Sequence, residues 1–190
     1  MNKRILLPVL LGALLACGGG GGGGKTTPAT ATSLAYADPT AGTYLLKKNA
    51  TLSTPSHLVL ELWGPAGATG CGVTAAFTLG GTAASWRNVN AADAAGTYVA
   101  NGTAFDLGTG TPILKGKVTG AVLAATVAEK GTTAPKALDK ALLRLALDLQ
   151  AGLAPGAAAT LVPDAARCKV LLADGTLAPI TIAVSGIAAQ

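Results

Sequence analysis

Aromatic rings and charged side chains are both scarce in this chain of 190 residues. Phe, Trp and Tyr together make up 4% and Asp, Glu, Lys and Arg 12%, against 50% hydrophobic residues. Its core must therefore be built from Leu, Val, Ile and Ala, and so few rings make a poor stacking platform for bases or sugars. The basic residues are scattered, with Lys47–Lys48 and Lys115/Lys117 the densest groups. Nucleic-acid binders concentrate Lys and Arg in a stripe with interleaved aromatics, so no nucleic-acid partner is expected. Beyond the first residues no run of 18 apolar residues occurs, which excludes a spanning helix. The nine acids stand singly: no D-x-D cluster suggests calcium, and no close acidic pair suggests glycoside hydrolysis. His57 is the only histidine and no Gly-x-Ser-x-Gly turn accompanies it, so it reads as a solvated or capping residue at a strand start. No catalytic residue, cofactor or metal site is expected, and the chain reads as a non-enzyme.

What is present begins with an address. Met1-Asn2-Lys3-Arg4 is a short basic segment, and Ile5 to Ala16 is apolar but too short to span a bilayer, the form of a signal peptide. Leu14-Leu15-Ala16-Cys17 resembles the bacterial lipobox, in which the Cys receives a diacylglycerol and becomes the first residue after cleavage. Ordinary signal-peptidase cleavage after Ala16 wants a small residue at −3, where Leu14 stands. Residues 1–16 are thus expected to be removed, and Cys17 to be the lipid attachment. That places the chain in the cell envelope, held to the membrane through the lipid alone; by the family's sorting rule Gly18 favours the outer membrane. Removing Lys3 and Arg4 from the 14 basic residues leaves 12 against 9 acids, a mildly basic mature surface.

Residues 17–33 hold an unbroken glycine run, Gly18 to Gly24, and then Lys, Thr, Pro, Ala and Ser. Glycine loses the most entropy on ordering and brings no side chain to pack, so this reads as a disordered tether reaching roughly 20–25 Å. Gly19, Gly24, Lys25 and Thr26 happen to fit a phosphate-binding loop. That loop works only between a buried strand and a helix N-terminus, and here a cleavage site precedes it and Thr/Pro linker follows.

From Leu34 to the C-terminus the dominant signal is period two, punctuated by Gly, Pro and Asp turns. Leu58, Leu60 and Leu62 alternate to Trp63, and Val73, Ala75, Phe77 and Leu79 alternate with Thr74, Ala76 and Thr78. Shorter strands are expected around Trp86, Phe105, Ile113 to Val118 and Val122 to Val127. Asp174-Gly175 lies between Val170-Leu171-Leu172 and Ile180 to Val184, a hairpin signal. Residues 136–150 fit a helix by Leu138, Leu142, Leu145 and Leu149, but Leu143, Leu145, Leu147 and Leu149 alternate as well. The neighbouring strands favour strand over Leu142 to Gln150. Glu61, opposite the Leu stripe, reads as an exposed strand residue. Eight to ten such strands imply an all-β, Ig-like or jelly-roll sandwich over residues 34–190.

The order Leu58 to Gly64, Gly72 to Leu79, Leu143 to Leu149 and Ala173 to Ile187 resembles the cohesins and the related carbohydrate-binding-module type of sandwich. The resemblance implies a nine-strand, jelly-roll-like sandwich and, from cohesins, recognition of a protein by a sheet face. With Cys17 lipidated, Cys71 and Cys168 remain as an even pair in an oxidising compartment and are expected to form a disulfide, zinc being the weaker alternative. Trp63 and Trp86, the only tryptophans, are the possible ligand platform; as a core or sheet-edge pair they would carry no ligand. The expected function is a non-catalytic, membrane-anchored interaction module for another envelope or extracellular protein. The alternative is a carbohydrate-binding module for a polysaccharide.

Overall fold

The two leucine-rich stretches of the sequence lie side by side at the centre of the fold. A computed structural model describes residues 28–93, 96–108, 113–131 and 134–190. In chain order the strands are β1 (Leu34–Tyr36), β2 (Tyr44–Lys48), β3 (His57–Trp63), β4 (Thr69–Gly70), β5 (Gly72–Gly81), β6 (Ala84–Arg87), β7 (Val99–Asn101) and β8 (Ile113–Thr119). They continue as β9 (Val122–Ala128), β10 (Lys136–Ala137), β11 (Ala141–Leu149), β12 (Ala158–Pro163), β13 (Lys169–Leu171), β14 (Leu177–Pro179), β15 (Ile182–Ala183) and β16 (Ile187–Ala189). No helix occurs among the described residues.

An eight-stranded sheet runs β1-β16-β12-β5-β13-β14, with β9 on the free edge of β5 and β8 beyond it. A six-stranded sheet runs β15-β2-β3-β11, and β6 and β7 share the far edge of β11. Strands β4 and β10 form a small ribbon of their own. Alternation then decides the core: Leu58, Leu60 and Leu62 of β3 pair with Leu147, Leu145 and Leu143 of β11 and so share one face. With Val73, Ala75 and Phe77 of β5 and Leu123, Ala125 and Val127 of β9 they form one cluster, each 2% exposed or less. The chain is an all-β sandwich, as its periodicity implies.

Residues 141–149 form the longest strand of the six-stranded sheet, hydrogen-bonded on both edges. A helix there would strip β3, β6 and β7 of their partner. Tertiary pairing thus decides between two periods that the sequence carries at once. Where strand β7 meets β11, the Ala141 carbonyl accepts from the amides of Thr103 and Ala104 at 2.7 and 3.0 Å. A Cβ on Gly102 would stand 1.9 Å from that oxygen, so only glycine permits the approach.

Three details differ from the sequence reading. Phe105 is buried at 3% exposure but lies outside any strand, filling the core from a loop. The Asp174-Gly175 hairpin forms, with Gly175 at φ +83° and the Asp174 carboxylate accepting from the Thr176 amide at 2.9 Å. Its second arm, however, is Leu177–Pro179, while Ile182–Ala183 crosses to the other sheet and pairs in parallel with β2. Both segments are apolar, and periodicity does not say which sheet buries them. Finally, the fold begins before Leu34: the amide of Ala31 donates to Leu153, and those of Thr32 and Ser33 donate to the Gln190 carbonyl. Backbone docking of this kind leaves no hydrophobic pattern to read.

The Leu145→Ala variant should lose about 2–5 kcal/mol of stability, because its side chain is fully enclosed and the void cannot fill with water. A urea unfolding curve with unchanged slope and a lower midpoint is the expected result.

Candidate functional site

Cys17 lies outside the described residues. Cys71 and Cys168 are not joined, contrary to the pairing expected from cysteine arithmetic. Strands β5 and β13 run antiparallel, and the Cys71 amide donates to Leu171, three residues along from Cys168. Three residues of strand span about 10 Å, whereas a disulfide needs Cα atoms within roughly 7 Å. Cys168 is fully buried with Sγ 3.7 Å from the Ala76 carbonyl oxygen, and burial pushes its thiol up.

The two tryptophans do not make a platform. Trp86 pairs with Leu147 and packs against the main core, whereas Trp63 follows Leu62 on the opposite face of the same sheet. The Trp86 Nε1–H donates to the Ala121 carbonyl at 2.9 Å, closing the sandwich edge. Rings on opposite faces cannot stack on one sugar chain, so the carbohydrate reading loses the pair that prompted it.

The outer face of the six-stranded sheet carries a polar network that the sequence reading missed. Glu61 is 7% exposed rather than solvated. Its Oε1 accepts from Arg144 Nε at 2.7 Å and Asn49 Nδ2 at 2.8 Å, and its Oε2 accepts from Trp63 Nε1 at 3.2 Å. Lys47 stands opposite Glu61 in register, with Nζ 4.8 Å from the Trp63 ring centroid. Burial alone would raise the Glu61 carboxyl; the Arg144 hydrogen bond and charge, with Asn49 and Trp63, outweigh it and hold it below the ordinary range. Two residues toward the N-terminus of β3 come Val59 and Ala146, fully buried against Val89. Beyond them, His57 Nδ1 lies 2.6 Å from Asp148 Oδ1 and His57 Nε2 lies 3.1 Å from the Val89 carbonyl oxygen. Arg87 Nε is 3.4 Å from Asp148 Oδ2. The lone histidine is thus buried and paired with an acid, not solvated. With both ring nitrogens occupied, it has none aimed at a nucleophile, and the pair works as a clasp between sheet and loop. The one available signal was charge among the outward positions of two Leu-rich strands: Glu61 in β3, Arg144 and Asp148 in β11.

The outer face of the eight-stranded sheet is different. Register sets Ile113, Ala128, Gly72, Leu171 and Leu177 in one row across β8, β9, β5, β13 and β14. The next row is Lys115, Thr126, Thr74, Lys169 and Pro179, and beyond it Lys117, Ala124 and Ala76. A fourth holds Thr119, Val122, Thr78 and Val162. Ile113, Leu177 and Val162 are 37%, 55% and 58% exposed, three of the four large hydrophobics exposed among the described residues. Arg167 lines the hollow beside Lys117 and Ala124. These rows contain cations and no carboxylate. Small Ala, Gly and Thr side chains keep the centre flat, and Thr126 donates to Thr74 across it at 3.0 Å.

Solved cohesin structures are among those that align with this chain. Over 83% of this chain and 96% of its own length, the sixth cohesin of scaffoldin B from Acetivibrio cellulolyticus, solved with a mutant Cel5 dockerin, aligns with a TM-score of 0.48 at 10% identity. The seventh ScaB type I cohesin from Pseudobacteroides cellulosolvens aligns at 0.43 and 11% identity, covering 69% of this chain and 79% of its own. Likeness at this level gives no residue-by-residue correspondence. No family model matches the chain, and no curated protein sequence matches it.

A carboxylate whose folded value is depressed adds stability at pH values above its unfolded one, and that contribution is lost as pH falls. For Glu61 the loss should begin as pH drops through about 4.5, the ordinary value, and continue below it. Thermal melts between pH 7 and pH 3 should show this decline, and Glu61→Gln should flatten it while lowering stability at pH 7, since it leaves Arg144 without its counter-charge.

Proposed function

We propose that this chain is a non-catalytic interaction module of the bacterial envelope, anchored through Cys17, that docks another envelope or extracellular protein on the outer face of the eight-stranded sheet. One observation carries the reading. That face is broad and flat, its register rows hold no carboxylate, and it ends in an apolar row in which Ile113 and Leu177 are exposed and Leu171 half-buried, bordered by Lys115 and Lys169. A flat surface with an apolar strip and a single sign of charge fits a protein partner offering apolar anchors and acidic neighbours. The anchor and the glycine-rich segment behind it hold such a face at high local concentration near the membrane without adding chemistry.

The test uses the full-length protein and its Lys115→Glu/Lys169→Glu variant, each cross-linked in native envelopes. The expected outcome is one acidic protein recovered with the wild type, reduced at least tenfold with the variant, and released by added salt. Equal recovery by both forms, or retention on a glycan array with no protein recovered, would overturn the reading. The anchor is tested separately: Cys17→Ser should abolish metabolic labelling by palmitate and move the protein from the membrane to the soluble fraction.

A further inference from the structure

The opposite side of the molecule carries a groove of about 590 Å³ over strands β3 and β11. Leu52 and Thr54, from the connection between β2 and β3, line it, as do Val89 and Ala91 from the chain leaving β6. Val89 and Ala100 pack over Val59 and Ala146, which are fully buried, so the middle of the floor is the apolar surface of Val89 and Ala100.

Its two charged groups on β11 have opposite sign. Arg144 is held by Glu61 and by the Asn101 carbonyl, which accepts from Nη1 at 3.1 Å, so its guanidinium is fixed before any ligand arrives. Its Nη2 has no hydrogen-bond partner among the described residues. Lys47 and Arg144 together face one carboxylate, Glu61, which leaves one positive charge in excess. Four residues on, Asp148 lines the groove with its side chain one-third exposed. His57 and Arg87 each engage one of its oxygens and so fix its orientation, yet each carboxylate oxygen can accept a further hydrogen bond. Asp93 on the lining adds a second negative charge. Arg144 and Asp148 are separated by four strand residues, about 13 Å.

A cation and an anion that far apart across an apolar floor match a zwitterion of the same length. We propose that this groove binds a short peptide with free termini. It would be about three to four residues long, extended at about 3.3 Å per residue, and bear small apolar side chains. Its carboxylate accepts from Arg144 Nη2, its ammonium donates to Asp148, and its side chains lie over Val89 and Ala100. The inference does not depend on the docking face of the other sheet.

Isothermal titration of the full-length protein with tri-alanine and tetra-alanine tests it. Saturable one-to-one binding is expected for at least one of them, weakened about tenfold or more by N-acetylation and again by C-terminal amidation, as expected for loss of a charge-assisted contact. Arg144→Lys keeps the charge beside Glu61 but removes the fork, and should weaken binding by a similar factor. Ala100→Leu, which leaves every charged group in place, should block the groove. Lys115→Glu/Lys169→Glu should leave peptide binding unchanged. Equal affinity for free and doubly blocked peptides, or no binding of either peptide below about 10 mM, would overturn the proposal.

Discussion

Strands β3 and β11 must be paired before anything else in this protein can take its place. Their inner faces contribute six enclosed leucines to the core, and their outer faces bring Glu61 to Arg144 and His57 to Asp148. A one-residue slip would turn the leucines outward and separate both pairs, so the same register serves packing and electrostatics together. The buried Glu61 makes that register specific. Its carboxylate is tolerated at 7% exposure because three donors surround it, and no shifted pairing offers the same three. The six-stranded sheet is thus held by a ladder whose correct alignment is the one in which no charge is stranded.

The two outer faces divide the chemistry of the molecule. On the six-stranded sheet, charges are paired, partly buried and separated by apolar floor, which gives a bounded groove with polarity along its length. On the eight-stranded sheet, cations stand without acids among Thr, Ala and Gly, which gives an open plane. The first geometry is suited to discriminating by size and by termini, the second by area and sign of charge. The scarcity of large rings noted in the composition has a role in both. Small side chains keep the plane flat and leave the groove unfilled.

Most of the fold was legible in the sequence because its strands are amphipathic in the simplest way. Leu58–Leu62, Val73–Leu79 and Leu143–Leu149 each announce one buried face. The outer-face network was not legible, since alternation assigns Glu61, Arg144 and Asp148 to solvent. Only the pairing of distant strands shows that Asn49 reaches Glu61, the Asn101 carbonyl reaches Arg144, and His57 and Arg87 reach Asp148. The same holds for Cys71 and Cys168: parity and compartment suggest a bond, but three residues of strand offset forbid it. Trp63 and Trp86 illustrate the point again, as their faces depend on pairing with β11 and not on their spacing along the chain.

Strand β1 is joined to the eight-stranded sheet by three register pairs with β16, and the residues just before it by amide hydrogen bonds to Leu153 and Gln190. This has a mechanical meaning. Force applied through the N-terminal side, while a partner grips the plane around β5, would cross that short ladder before it reached the core. The junction would then act as a fuse: under such a load β1 would peel from β16 first, releasing its few residues while the sandwich behind it stays folded.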